Sequence, residues 1–150
     1  MANPNTLTLA RVLDTIRISP PDTLATAFNQ MIPPSKVPTE YMNSLSEQDR
    51  VTAHRACLLT WFLTSGTQVP RDIQLQSCLA TFNGKDSLIY AGTGSGKTLP
   101  IALNILLEDP AKERITLTIS PLKRLQITQV YTLLSFSDIP SSCFSGTTGK

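Results

Sequence analysis

Apolar residues fall at helical spacing through the first two thirds of the chain and gather into β-branched runs toward its end. Leu9, Val12, Leu13 and Ile16 recur at steps of three and four, which predicts a short amphipathic helix. Ser19-Pro20-Pro21-Asp22 breaks it, and Asp22 is placed to cap a second short helix through Phe28 and Met31. Residues 32–38 carry three prolines (Pro33, Pro34 and Pro38) and predict an extended linker. Ser44 or Ser46 then caps a longer helix with Glu47 and Asp49 in its first turn. That helix carries Val51, Ala56, Leu58, Leu59, Trp61 and Phe62 and stops near Ser65-Gly66. It reads as a helix packed against the domain on its C-terminal side, with Trp61 and Phe62 in the core.

From Val69 onward the pattern alternates helix and strand. Arg71 to Phe82 predicts a helix with Ile73, Leu75, Cys78, Leu79 and Phe82 on its apolar side, ended by Asn83-Gly84. Ser87-Leu88-Ile89-Tyr90 reads as a short buried strand, and Leu99 to Leu107 as an apolar helix stopped by Asp109-Pro110. Ile115 to Ile119 predicts a second strand, and Pro121 opens a helix reaching to about Leu134. Ser142 to Ser145 predicts a third short strand. Strands alternating with helices imply an α/β fold with a parallel sheet and right-handed crossovers. A helical extension over residues 1–65 precedes this unit, which occupies residues 66–150.

Between the first predicted strand and its helix lies Ala91-Gly92-Thr93-Gly94-Ser95-Gly96-Lys97-Thr98. This fits the phosphate-cradling loop pattern, with Ala91 where the strict pattern has glycine. Successive backbone N–H groups must converge on one phosphate, and small residues let them do so. The next helix adds its positive N-terminal end. Lys97 is placed to reach β- and γ-phosphates, and the Thr98 hydroxyl to hold Mg²⁺. Upstream, Pro70-Arg71-Asp72-Ile73-Gln74 places an amide, both donor and acceptor, three residues after a planar guanidinium. Such a pair suits the edge and face of adenine; taken alone, it suits the polar start of a surface helix equally well.

Four segments, in this order and spacing, resemble the opening motifs of RecQ-type DNA helicases, within the DEAD/DEAH-like superfamily. They are Arg71 to Gln74, Asn83 to Ile89, Gly92 to Thr98, and Ser120-Pro121-Leu122 with Gln129-Val130. The resemblance runs over residues 69–146, where 136–140 and 143–146 are similar to the family's next loop and strand. It implies a partial RecA-like lobe of the P-loop NTPase kind. It implies that Arg71 and Gln74 contact adenine, and that Gly92, Thr93, Gly94, Ser95, Gly96, Lys97 and Thr98 hold the phosphates and Mg²⁺. It also implies that Ser120, Pro121 and Leu122 line a single-strand path, with Lys123 and Arg124 adding salt-sensitive attraction. The bland alternative for residues 120–124 is an ordinary helix cap with solvated charges. The implied partners are ATP, Mg²⁺ and single-stranded or partly duplex DNA, with RNA also open, and the implied location is nuclear.

Composition narrows the rest. Net charge is +2 from 13 basic and 11 acidic residues, too balanced to argue for nucleic acid or an anionic membrane by itself. Cys57, Cys78 and Cys143 lie far apart, in no zinc or disulfide spacing, and fit a reducing compartment. No apolar run approaches the ~18 residues of a membrane span. His54 sits alone on an apolar helix and reads as a packed or surface residue. Hydrolysis by the helicase family also uses an acidic Asp-Glu-x-His run, and these 150 residues contain none. Glu108, Asp109, Glu113 and Asp138 do not substitute for it. The chain therefore reads as the N-terminal part of a larger helicase, fragment or truncated product, that binds ATP without turning it over alone. Two other readings stand beside it: a non-catalytic nucleotide- or partner-binding module, and a P-loop kinase or transporter ATPase, which lacks the upstream glutamine motif.

Overall fold

The computed structural model describes residues 9–92, 94–112 and Leu117, and the regular elements within them are all helical. α1 (Leu9–Ile18) and α2 (Pro21–Met31) flank the Ser19-Pro20 break. Pro21 takes the first helical position, where its missing N–H has no helical partner to lose. Asp22 consequently lies inside the first turn instead of capping it; the cap position is Pro20, which makes no side-chain bond. There the Asp22 carboxylate still faces the positive end of the helix.

Residues 32–38 are folded onto the body of the protein. Ile32 is buried, Pro34–Lys36 forms a 3-10 turn, and Val37 packs against the core. A further helix, α3 (Thr39–Ser44), has no counterpart in the sequence reading. Ser44 closes α3 by donating its hydroxyl to Tyr41 O, which leaves Ser46 as the cap of α4 (Glu47–Leu63). The Ser46 Oγ accepts the Asp49 N–H at 3.2 Å. α4 ends where Ser65 and Gly66 take positive φ of 52° and 76°, and the Gly66 N–H returns to Trp61 O at 2.8 Å.

α4 is the hub. It packs against α1, α2, α5 (Asp72–Phe82) and α6 (Thr98–Leu107), and α5 lies along α6. Ala53 and Ala56 bring its backbone close to its neighbours, while Leu59 fills the centre with Leu75 of α5 and Leu103 and Leu106 of α6. Thr60 is buried with its hydroxyl donated to Ala56 O at 2.8 Å, so burial leaves no orphan there. Two arginines stitch the layers across helix ends. Arg55 Nε donates to Ile16 O at 3.2 Å, and the Arg17 guanidinium donates to Leu106 O in the last turn of α6. A cation there complements both the free carbonyl and the negative helix end.

Three expectations change. Phe62 is 36% exposed, because Leu58, Leu59 and Ala56 already occupy the inward faces of α4. Ile73 is 39% exposed, since it lies about 200° around the helix from Leu75, whose partners Cys78, Leu79 and Phe82 carry the apolar stripe. Residues 87–90 form no strand, and Leu88 and Tyr90 are 98% and 99% exposed. A strand's backbone bonds come from its neighbours, so an apolar run alone cannot make one. The second expected strand, 115–119, has only Leu117 among the described residues. The helix expected from Pro121 and the strand over 142–145 lie outside them.

Candidate nucleotide-binding loop

α5 and α6 run side by side, and their N-terminal ends frame the loop at 91–97. Apolar contacts set the pairing, and one polar contact adds to it. Cys78 Sγ donates to Asn104 Oδ1 at 3.4 Å. Burial pushes the Cys78 thiol up to about 12, which keeps it a donor across the neutral range. Sequence reasoning passed over Asn104, although it is the lone polar residue within the run Leu99–Leu107 and so carried a signal.

Gln74 sits in the first turn of α5 and is 8% exposed. Its side chain is fully engaged. The Arg71 N–H donates to Gln74 Oε1 at 2.8 Å, and Gln74 Nε2 donates to Ser95 O at 3.2 Å and to Gly96 O at 3.1 Å. A residue read in the sequence as an adenine contact is therefore also the bolt between α5 and the loop. Asn83, in the turn after α5, donates its amide to Asp49 Oδ1 at 2.8 Å and ties the other end of α5 to α4. That bond, then the Ser46 hydroxyl, holds the Asp49 carboxyl below its ordinary value.

The loop has the geometry of a cradle. Gly94 and Gly96 have φ of 79° and 75°, in the left-handed region that side chains disfavour. A Cβ on Gly96 would lie 2.5 Å from Gln74 Nε2 and would displace that amide end, so the positive φ calls for glycine and the amide contact adds to it. Lys97 bends back over the loop and donates through Nζ to Ala91 O at 2.7 Å and Gly92 O at 2.8 Å. Its ammonium thus lies where the loop backbone turns. Thr98 opens α6, and Pro100 falls in the first turn, where its missing N–H is unneeded. The Ser95 Oγ is buried with no hydrogen-bond partner. The structure therefore brings Arg71, Gln74 and the residues of 94–98 together. Thr93, Ser120, Pro121, Leu122, Lys123 and Arg124 lie outside the described residues. Among the described residues no cluster of His, Cys, Asp and Glu is arranged to hold a metal ion, and no helix is long and apolar enough to cross a membrane.

A family model described as DEAD/DEAH box helicase matches residues 71–149, more than half of the chain. The chain belongs to the DEAD/DEAH box helicases. The match begins at Arg71, the residue that caps α5 and opens the glutamine segment. Among curated proteins, the probable ATP-dependent RNA helicases DDX52 of Mus musculus and of Rattus norvegicus are each 41% identical over 71 residues. That alignment takes in 45% of this DEAD/DEAH box chain but only 12% of each relative's length. No solved structure matches. The superfamily implied by the motifs thus holds, while the relatives matched are RNA helicases and give no support to the RecQ branch.

Proposed function

We propose that this chain is the ATP-binding part of an ATP-dependent nucleic-acid helicase. In this reading, residues 66–150 contribute part of a RecA-like lobe and residues 1–65 form a helical extension packed on it. The observation that carries the reading is the seam between α5 and the loop. Gln74 holds the carbonyls of Ser95 and Gly96, and Lys97 spans the same loop from its other side. A loop bonded this way has its backbone direction fixed before any ligand arrives, which lowers the ordering cost of binding.

The residues present fit ATP and Mg²⁺. Two positive-φ glycines, a buried unpaired Ser95 hydroxyl and the N-terminus of a ten-residue helix converge at one place. Lys97 is the residue for the β- and γ-phosphates, since phosphate oxygens can replace two exposed carbonyls as its acceptors. Thr98 is the residue for Mg²⁺, with Gly92, Thr93, Gly94, Ser95 and Gly96 supplying backbone. Arg71 and Gln74 serve the adenine. Because Gln74 already uses both ends of its amide, reading the base means exchanging one of its present bonds for a base edge. Bound ATP with Mg²⁺ supplies the γ-phosphoryl group whose transfer to water powers a helicase.

RNA is the nucleic acid this reading favours, on the strength of the DDX52 relatives. DNA is the second reading, supported by the RecQ-like order of motifs. Ser120, Pro121, Leu122, Lys123 and Arg124 are the proposed backbone contacts for either. The deciding experiment measures binding of a fluorescent ATP analogue to the wild-type chain and to Lys97→Ala and Gln74→Ala, with GTP as competitor. At least tenfold weaker binding by Lys97→Ala, and loss of the preference for adenine over guanine in Gln74→Ala, are expected. Unchanged affinity in Lys97→Ala overturns the ATP assignment. Equal competition by GTP against wild type points to a P-loop kinase or transporter ATPase. Titration with single-stranded RNA and DNA of one sequence then separates the two nucleic-acid readings.

A further inference from the structure

A cavity of about 430 Å³ opens between α2, the 34–36 turn, α3 and α4, away from the nucleotide loop. It falls within the roughly 300–1,000 Å³ range of small-ligand pockets. Phe28, Ile32, Val37 and Met42 form its apolar walls. Its polar groups come from three helices. Arg50 and His54 stand four residues apart on α4, and Asn29 and Asn43 line the same cavity from α2 and α3. His54 is fixed by its ring, whose centroid lies 4.4 Å from that of Phe28. Among the described residues its ring nitrogens make no hydrogen bond, and the Arg50 side chain bonds only Leu45 O, at 3.2 Å. The lining contains no carboxylate. Donors are therefore in excess of acceptors along the open rim of an apolar groove, where Arg50 is exposed and His54 half-buried, and the single full positive charge of the lining has no acidic partner within it.

We propose that this cavity binds a small amphipathic monocarboxylate, its carboxylate on Arg50 and His54 and its apolar body against Phe28, Ile32, Val37 and Met42. A guanidinium matches a carboxylate in shape and donates to both oxygens. A phosphate dianion suits the site less, because one arginine offers too little charge and the apolar walls would face only water. The site needs nothing from the nucleotide loop, so it stands or falls independently of the ATP reading.

The test titrates the 150-residue chain with octanoate and, separately, with octanol, following amide and Met42 methyl shifts by NMR. Octanoate is expected to shift Met42 and His54 and to bind about tenfold more tightly than octanol. Arg50→Gln is expected to remove that difference while leaving octanol binding unchanged. Ala25→Phe, which fills the cavity from α2, is expected to abolish both. Equal affinity for octanoate and octanol in the wild type overturns the proposal without any variant, as do shifts that map elsewhere or survive Ala25→Phe.

Discussion

Helix α4 and the segment 85–97 have similar lengths and opposite characters. Along α4, burial and bonding go together. Ala53, Ala56, Cys57 and Leu59 are closed off, Thr60 satisfies its hydroxyl on its own helix, and Arg55 ends on the Ile16 carbonyl. Among the described residues of 85–97 there is no helix or strand, Leu88 and Tyr90 stand in solvent, and beside the backbone bond from the Ser95 N–H to Gly92 O the loop is held by two side chains, Gln74 and Lys97. An ammonium on exposed carbonyls trades partners readily, because water or a phosphate can replace them at little cost. A buried methyl group has no such substitute. Stability in this protein is concentrated in one region and exchangeable polar groups in the other.

The strongest way to break that contrast is to truncate the hub. Leu59→Ala should cost about 2–5 kcal/mol of folding free energy, read as a lower midpoint in urea, because it leaves a cavity where α4, α5 and α6 meet. Lys97→Ala should move the same midpoint by less than about 0.5 kcal/mol, as an exposed substitution does, while removing nucleotide affinity. If Lys97→Ala destabilises as much as Leu59→Ala, the loop is a structural element and the contrast fails. Gly96→Ala falls between them, at about 2 kcal/mol. It forces a Cβ onto positive φ and drives it into the Gln74 amide. Combining it with Gln74→Ala relieves the clash and leaves the φ strain, so the double variant should lose less than the sum of the two single changes. Strict additivity would show that Gln74 does not hold the loop.

The same contrast explains what could be read from the amino acids. The helices around α4 announce themselves, because period, proline breaks and caps are local. Leu13 and Ile16, Phe28, and Leu75, Cys78 and Leu79 bury as their spacing predicts, whereas Met31, read on the same helix as Phe28, is 54% exposed. α3 escaped because Pro38 and its six residues resemble a linker until Met42 finds a core to enter. Residues 87–90 misled for the converse reason. Their apolar run signals burial, but a strand is completed by residues far along the chain. The loop pattern was legible at Gly96, Lys97 and Thr98, where residue type carries the expectation, and the phosphate and Mg²⁺ roles of Lys97 and Thr98 belong to the proposal. The bond from Gln74 to Ser95 and Gly96 was not, because it depends on α5 and α6 lying side by side. Arg71 and Gln74 suited a helix start and an adenine site equally in the sequence. In the folded chain both serve the start of α5, and the adenine role belongs to the proposal.

A smaller loss than that of Gly96→Ala sharpens the comparison from the quiet side of α4. Ser46 accepts the Asp49 N–H and donates its hydroxyl to Asp49 Oδ2 at 2.9 Å, while Asn83 holds the other carboxylate oxygen. Ser46→Ala should cost about 1 kcal/mol at neutral pH, as the loss of a helix cap does. Part of that loss is tied to charge. Asp49 is held below its ordinary carboxylate value of 3.8 by Asn83 first and Ser46 second. A group depressed in the folded state stabilises above its unfolded value, and the gain disappears as pH falls through the lower, folded one. The gap between wild type and Ser46→Ala should therefore be constant from neutral pH down to about pH 5 and narrow below 3.8. Paired urea melts at neutral pH and at pH 3 measure it. A gap unchanged in acid would mean that Ser46 acts through the backbone N–H alone, and that the Asp49 charge contributes nothing to the start of α4.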